Sequence, residues 1–418
     1  MIQQTILSRI DSIIRFFLYL LIFWLPYSPA VIEVSVVAAT LLLIIKRILI
    51  FRVSRSWRQT LQPPPSALNK SIYFFIFLCV LSVVGSVFLS DSLHGFISKT
   101  LEWFLVYFLI LEVFTQRRHI YIALGVLLFT ATSTAIDSLV QFYITSKDIF
   151  LQHVIEPHSR ATAGFKTPDS LGGFLTIVTL VAFALPFILT KKIYKICSLG
   201  IIFLLLWSLF LTFTRGAELG VVLGFVFFLY VMFNSMKRYN PWPFILILIL
   251  MAALSYPFFQ KHMNSLFVED RLNSISWRFQ IWRDTLTMIK ERPIFGHGLN
   301  TYMQIFQEYG QSIKASPTYA HNCYLQLAAE TGLLGLGCFL FMVFKLFQST
   351  LTLVFLPIFQ KDFLKFIALG LLAGLAAFLI HSFFDTNLYS LQLSIYFWYM
   401  VGILGSINNL INNPKHKI

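Results

Sequence analysis

Apolar runs of about 18 residues or more recur along the whole length of this chain, and few folds accommodate such a pattern. They fall near 13–30, 33–51, 71–90, 98–115, 119–145, 169–190, 196–213, 217–235, 243–260, 325–348, 366–388 and 391–410. Charged residues make up 12% of the 418, where a soluble domain carries roughly a quarter. Mean hydropathy is +0.76. The expected fold is therefore all-α, a polytopic integral membrane protein with about 12 transmembrane helices. A single transmembrane domain is expected over 1–418, with one large external loop, 261–324, before the tenth span. The first two runs are compatible with a hairpin around Pro26 and Pro29. No small-residue cleavage site separates them, so the first is read as an uncleaved anchor.

Basic residues set the orientation. With the N-terminus cytoplasmic, one side receives Arg9, Arg15, the Lys46–Lys70 loop, Arg117, Arg118, Lys191, Lys192, Lys237, Arg238, Lys361, Lys365, Lys415 and Lys417. Both termini are then expected in the cytoplasm. The exception is 261–324, which carries Arg271, Arg278, Arg283 and Arg292 on the opposite side. The net charge of +14 follows mostly from topology, so it calls for no nucleic acid and no acidic protein partner.

Several chemistries are excluded. There is no P-loop, no G-x-G-x-x-G after a strand and no clustered Cys/His of zinc type. Cys79, Cys197 and Cys338 fall inside apolar runs, and Cys323 is read as a spectator thiol. External carboxylates look few and scattered, so a divalent-metal cage is not expected. A reaction here must draw on an activated substrate or a gradient, because nothing suggests ATP hydrolysis.

The polar stretch ending at His321-Asn322 is where chemistry is expected, since polar residues between membrane spans are costly unless they have a task. Residues 275–292 read as an amphipathic helix, with Ile275, Phe279, Trp282, Leu286 and Ile289 on its apolar face. Arg271 and Arg278 would share another face. Such arginines either meet lipid phosphates or clamp a substrate phosphate, whose oxygens their planar fork binds bidentately. Gly296-His297-Gly298 reads as a turn that lets backbone approach a ligand. Arg215 and Arg160 reach the same side from other loops, either to snorkel, to pair with a carboxylate such as Glu218, or to bind the same anion. Asp169 after Pro168 looks like a helix cap. His321 is the preferred general base, because neighbouring positive charge favours a neutral imidazole. His297, His153, His158 and His262 are its rivals. His381 and Asp385, one turn apart, either support the site or form a satisfied intramembrane pair.

The stretch R-F-Q-I-W-R-D-T-L-T-M-I-K-E-R-P-I-F-G-H-G-L-N-T-Y, followed by H-N-C-Y-L-Q-L-A-A-E-T-G-L-L-G-L, resembles the signature of the O-antigen ligase and O-antigen polymerase-like superfamily. T-R-G near Arg215, R-A-T-A-G-F near Arg160 and H-S-F-F-D-T near Asp385 also match. Where members often show Asn-Pro-Asn, this chain has Thr167-Pro168-Asp169. The resemblance implies a metal-independent glycosyltransferase of the inner membrane, with its loop in the periplasm and no cofactor. Arg215 and Arg278, with Arg160 nearby, would hold the diphosphate of an undecaprenyl-diphosphate-linked glycan donor. His321 would activate the acceptor hydroxyl, with Asn322, Gly296, Gly298 and Asp385 in support. The preferred reading is an O-antigen ligase, transferring glycan to lipid A–core oligosaccharide by inverting displacement. The alternatives are a polymerase using a lipid-linked acceptor and, in a different class, a secondary transporter with a basic vestibule.

Overall fold

The computed structural model describes residues 2–156, 159–235, 269–310, 318–356 and 362–412. Among these the chain is 80% helical and forms no strand. The main helices are α1 (Ile2–Trp24), α2 (Pro29–Ser54), α3 (Asn69–Val84), α4 (Glu102–Val113), α5 (Arg117–Val140), α6 (Pro168–Ala182), α7 (Lys192–Leu211) and α8 (Arg215–Ser235). After them come α9 (Glu269–Glu291), α10 (Tyr302–Tyr309), α11 (Cys323–Phe355), α12 (Leu364–His381) and α13 (Leu391–Asn412). Short helices and π turns join several of these.

Eight of the twelve expected runs form helices long and apolar enough to cross a membrane, namely α2, α5, α6, α7, α8, α11, α12 and α13, with α5 and α6 extended to Thr145 and Ile188. The run at 71–90 gives the shorter α3. The run at 98–115 divides into a π turn, Phe96–Leu101, and α4. The run at 13–30 is overlapped by α1, which begins earlier, and 243–260 lies outside the described residues. The chain reverses between α1 and α2 where Tyr27 and Ser28 both donate to Trp24 O, and Ser28 caps the Pro29 helix.

Burial sorts the helices into inner and outer ones. The apolar window of α12 is 89% buried and those of α6 and α13 78%, against 22% for α2. Along α2, Val34, Val37, Leu41, Ile44, Ile45 and Ile48 are exposed, an apolar face that only lipid would cover in a single chain. The most buried helix, α12, packs backbone to backbone against α8 and α6. A Cβ on Gly220 would lie 2.4 Å from Ala377 O, and one on Gly374 would lie 2.8 Å from Ile177 O. Small residues at such crossings let membrane helices approach closely.

One helix is broken on purpose. In α11, Gly332 has φ 72 and ψ 177. The helical bonds around it are surrendered to the segment 293–298. His297 N donates to Ala329 O at 2.9 Å, Gly298 N to Glu330 O at 2.9 Å, and Leu333 N turns to Pro293 O at 2.7 Å. Ser82 of α3 also donates to Glu330 O, at 2.6 Å. The backbones are too close for side chains, since a Cβ on Gly332 would sit 2.1 Å from Ile294 O and one on Gly296 2.4 Å from Glu330 C. The two glycine motifs, P-I-F-G-H-G and E-T-G, are thus two halves of one joint. Gly332→Ala is expected to destabilise the protein by at least about 1–3 kcal/mol, the usual cost of a non-glycine residue held left-handed, before the clash is added. A drop in the thermal midpoint in detergent, absent in Gly337→Ala on the open face of the same helix, is the measurement that checks it.

Candidate active site

Loops at one end of the bundle gather the polar residues. The segment carrying Arg160 is fixed by Gln141, which is fully buried. Its Oε1 accepts from the N–H groups of Thr162 and Ala163, both at 2.9 Å, and its Nε2 donates to Thr162 Oγ1 and His153 O at 3.1 Å. Ala161 N donates to Leu211 O at 2.9 Å, tying the loop to the end of α7. Arg160 is thereby aimed along the start of α8. Its Nε donates to Thr212 O at 2.8 Å, and its Nη2 reaches Asp169 Oδ1 at 2.6 Å and Thr214 Oγ1 at 3.1 Å.

Asp169 departs from expectation. The cap of α6 is Thr167, whose side chain accepts from Ser170 N. Asp169 lies in the first turn with its carboxylate free to take Arg160 and, at 3.2 Å, the Thr214 hydroxyl. The carboxylates at this end of the bundle are not scattered either. Ligand atoms of Asp169, His381 and Asp385 all lie within 4.8 Å of one another. Spacing of that kind suits a cation, but each residue here also has a protein partner. Arg160 takes Asp169, the Asn387 amide meets His381 Nδ1 at 2.9 Å, and His321 faces Asp385. The sequence carried a faint sign of this, a carboxylate after a proline at a helix start on a side poor in acids.

His321 stands at the entrance to α11 with φ 48, a left-handed conformation that costs a non-glycine residue of order 1–3 kcal/mol. Its neighbours hold it there. Asn322 caps α11, accepting from Tyr324 N at 2.9 Å and Leu325 N at 3.0 Å, and Cys323 N donates to Ser382 O at 2.9 Å. The imidazole Nδ1 lies 3.6 Å from Asp385 Oδ1. Asp385, expected in support of the site, is thus the carboxylate that faces the imidazole. Burial by itself would raise the Asp385 carboxyl, but the facing His321 ring, the His381 charge and the Thr386 N–H outweigh it and hold it below the ordinary carboxylate value. Asp385 is thus an anion at neutral pH.

Helix α9 covers this group. Trp282 Nε1 donates to Ala320 O at 3.0 Å, and the Trp277 ring lies 5.5 Å from that of His321. Arg278 Nη1 reaches Phe384 O at 3.4 Å. The buried face is only partly the expected one, since Ile289 is buried and Trp282 packs beside it. Ile281 and Met288 are buried with Thr285, which bonds Tyr302 of α10 at 2.6 Å, while Phe279 and Leu286 are 62% and 47% exposed. Two apolar stripes exist on α9, and a period count cannot say which one meets protein. The side chain of Arg271 lies outside the described residues, as do His158 and His262.

The remaining expected residues divide. Arg215 is exposed at the first turn of α8, and Glu218 is within electrostatic reach of both Arg215 and Arg160. Gly296 and Gly298 approach the backbone of α11 and the Ser86 side chain. His297 is buried in that joint, its Nε2 3.0 Å from Met288 O. His153 sits on the Asp148 turn, 3.6 Å from that carboxylate. Among the rivals with described side chains, neither reaches Asp385.

Fold and site together define an integral membrane protein with an arginine, histidine and carboxylate cluster between its helix ends and a covering polar segment. Residues 200–340 match the family described as O-antigen ligase, which supports placing the chain in the O-antigen ligase-like superfamily. An uncharacterized protein of Haemophilus influenzae is 31% identical over 185 residues, covering 40% of this chain and 45% of that protein. The chain thus matches less than half of that relative's length. The matched family region runs from α7 into α11 and takes in Arg215, Arg278 and His321.

Burial holds His297 below the ordinary value of 6.5. As pH falls below that value the unfolded chain takes up a proton that the folded one resists. The contribution to stability is therefore present above pH 6.5 and is lost on acidification. The thermal midpoint between pH 8 and pH 5 should fall more steeply for the wild type than for His297→Gln. Parallel curves would remove His297 from the account.

Proposed function

We propose that this protein is a glycosyltransferase of the O-antigen ligase type, moving a glycan from a polyprenyl-diphosphate carrier to a lipid A–core acceptor on the periplasmic face of the inner membrane. One observation carries the reading: the Arg278 guanidinium and the His321–Asp385 pair both converge on residues 384–385, at the end of the bundle where Arg160 and Arg215 also lie. Asp385 faces Nδ1 of His321, which favours a proton on that nitrogen and leaves Nε2 to accept one. The acceptor hydroxyl gives its proton to Nε2 as its oxygen attacks the anomeric carbon. The bond from that carbon to the diphosphate breaks on the opposite face, with inversion. Negative charge grows on the departing diphosphate, and Arg278 and Arg215 are the groups suited to stabilise it. Arg160 is largely occupied by Asp169 and Thr214, so its part is to set the field and the loop rather than to clamp.

The test combines purified full-length protein with polyprenyl-diphosphate glycan, with and without lipid A–core. Acceptor-dependent capping is expected. Laddering without acceptor would instead make the enzyme a polymerase, and no transfer with either would overturn the reading. His321→Ala should reduce turnover by roughly 10²–10⁴, the usual worth of a positioned base, and near-wild-type transfer would remove it from that role. Activity should survive excess EDTA; loss restored by magnesium or manganese would reassign Asp169, His381 and Asp385 as metal ligands.

Arg278→Lys should fail nearly as badly as Arg278→Ala if the diphosphate needs a planar fork. A charge-assisted hydrogen bond contributes about 1.5–3 kcal/mol, so either change should cost roughly 10- to 150-fold in kcat/KM. Exposed Arg283 should tolerate alanine. Normal kinetics for Arg278→Lys would turn that arginine into a lipid anchor.

A further inference from the structure

The end of the bundle opposite the site holds a recess of about 610 Å³ between α11, α13 and the segment before α3. Its wall is rich in amides and hydroxyls, with Gln348 and Thr352 from α11 and Asn408, Asn409 and Asn412 from α13. Its floor is apolar, including Leu346 and Leu404. Lys345 stands at its edge, and its Nζ donates to Gln348 Oε1 at 2.9 Å. The same ammonium lies 5.6 Å from the Phe341 ring centroid and 6.0 Å from that of Phe344. Both rings are at least half exposed on the outer surface of α11.

Lys345 is ten residues short of the end of α11 at Phe355, or about 15 Å at the helical rise. The apolar run 325–348 ends three residues beyond it, so the ammonium stands near the level where lipid headgroups begin. Among the described residues no carboxylate lies within ion-pair distance of it. The cation, the neutral donors beyond it and the exposed aromatic surface beside it lie in sequence from the recess to the outer face of the bundle. A free anion would use the first two and leave the aromatic surface without a role. An amphiphile uses all three.

We propose that this recess binds the headgroup of an anionic glycerophospholipid. The phosphodiester lies against Lys345, the headgroup hydroxyls meet the asparagine amides, and the acyl chains run out over Phe341 and Phe344. Basic pockets between helices hold acidic headgroups in this manner. The site is separate from the proposed catalytic one and does not depend on what that one does.

The full-length protein in neutral detergent is titrated with phosphatidylglycerol, with phosphatidylcholine and with inorganic phosphate, and bound lipid is counted by native mass spectrometry. Phosphatidylglycerol should be retained in preference to phosphatidylcholine. Lys345→Gln should weaken that retention about fivefold, the worth of one cation near an acidic headgroup, and Lys345→Arg should restore it. Asn409→Leu, which keeps the charge, should also weaken it, and size-exclusion profiles check that each variant is folded. Equal retention of the two lipids overturns the proposal. So does wild-type retention by Lys345→Gln, or displacement of the lipid by millimolar phosphate, which would make the recess a free-anion site.

Discussion

The interlock between the broken α11 and the segment 293–298 is the constraint on which the site depends. A continuous α11 would use the carbonyls of Ala329 and Glu330 within the helix. Because Gly332 leaves the helical region, those acceptors are released to His297 N and Gly298 N. The segment after α9 is thereby bonded to a membrane helix by main-chain bonds, whose geometry tolerates little drift. Glu330 reinforces the joint from below, accepting from Asn300 N at 3.0 Å, while Lys99 donates to Asn300 Oδ1 at 2.5 Å. Helix α9 is thus held at the mouth of the bundle by its C-terminal connection, with indole contacts fixing its remaining length.

Charge compensation is the second theme. The cationic segment looks unbalanced along the sequence, yet in space two of the basic groups at this end meet acids, Arg160 with Asp169 and His321 with Asp385. Partly buried pairs of this sort add little net stability, because desolvation opposes the attraction. What they do is hold planar groups in one orientation. At the other end, Lys46 bridges Asp11 at 2.6 Å and Glu112 at 2.7 Å, tying α1, α2 and α4 together.

Much of the fold was legible because long apolar runs have so few solutions. Their positions matched helices wherever the runs fall on described residues, and the turn at Pro26–Pro29 carried its own chemistry. Periodicity succeeded only in part on α9: Ile289 is buried as expected, but Phe279 and Leu286 point away from protein and Ile281 and Met288 into it, since lipid and protein accept the same side chains. The cationic and histidine members of the site were readable from their position between spans. Asp169 was not, because a carboxylate in a first helical turn has an ordinary reason to be there. Close approach is written in Gly296 and Gly298, but the partners the fold supplies, the α11 backbone and the Ser86 side chain, are not.

The two indole contacts of α9 carry a mechanical consequence. Trp282 is bonded to Ala320 and Trp277 lies against His321, while Arg278, between them, reaches Phe384. The guanidinium is therefore carried by α9, and the imidazole is covered by it. A tilt of α9 would draw the Arg278 guanidinium away from Phe384 and the Trp277 ring away from His321, while His321 itself stays tied to α11 through Asn322 and Cys323. One movement of one helix would therefore both free the guanidinium and uncover the face of the imidazole.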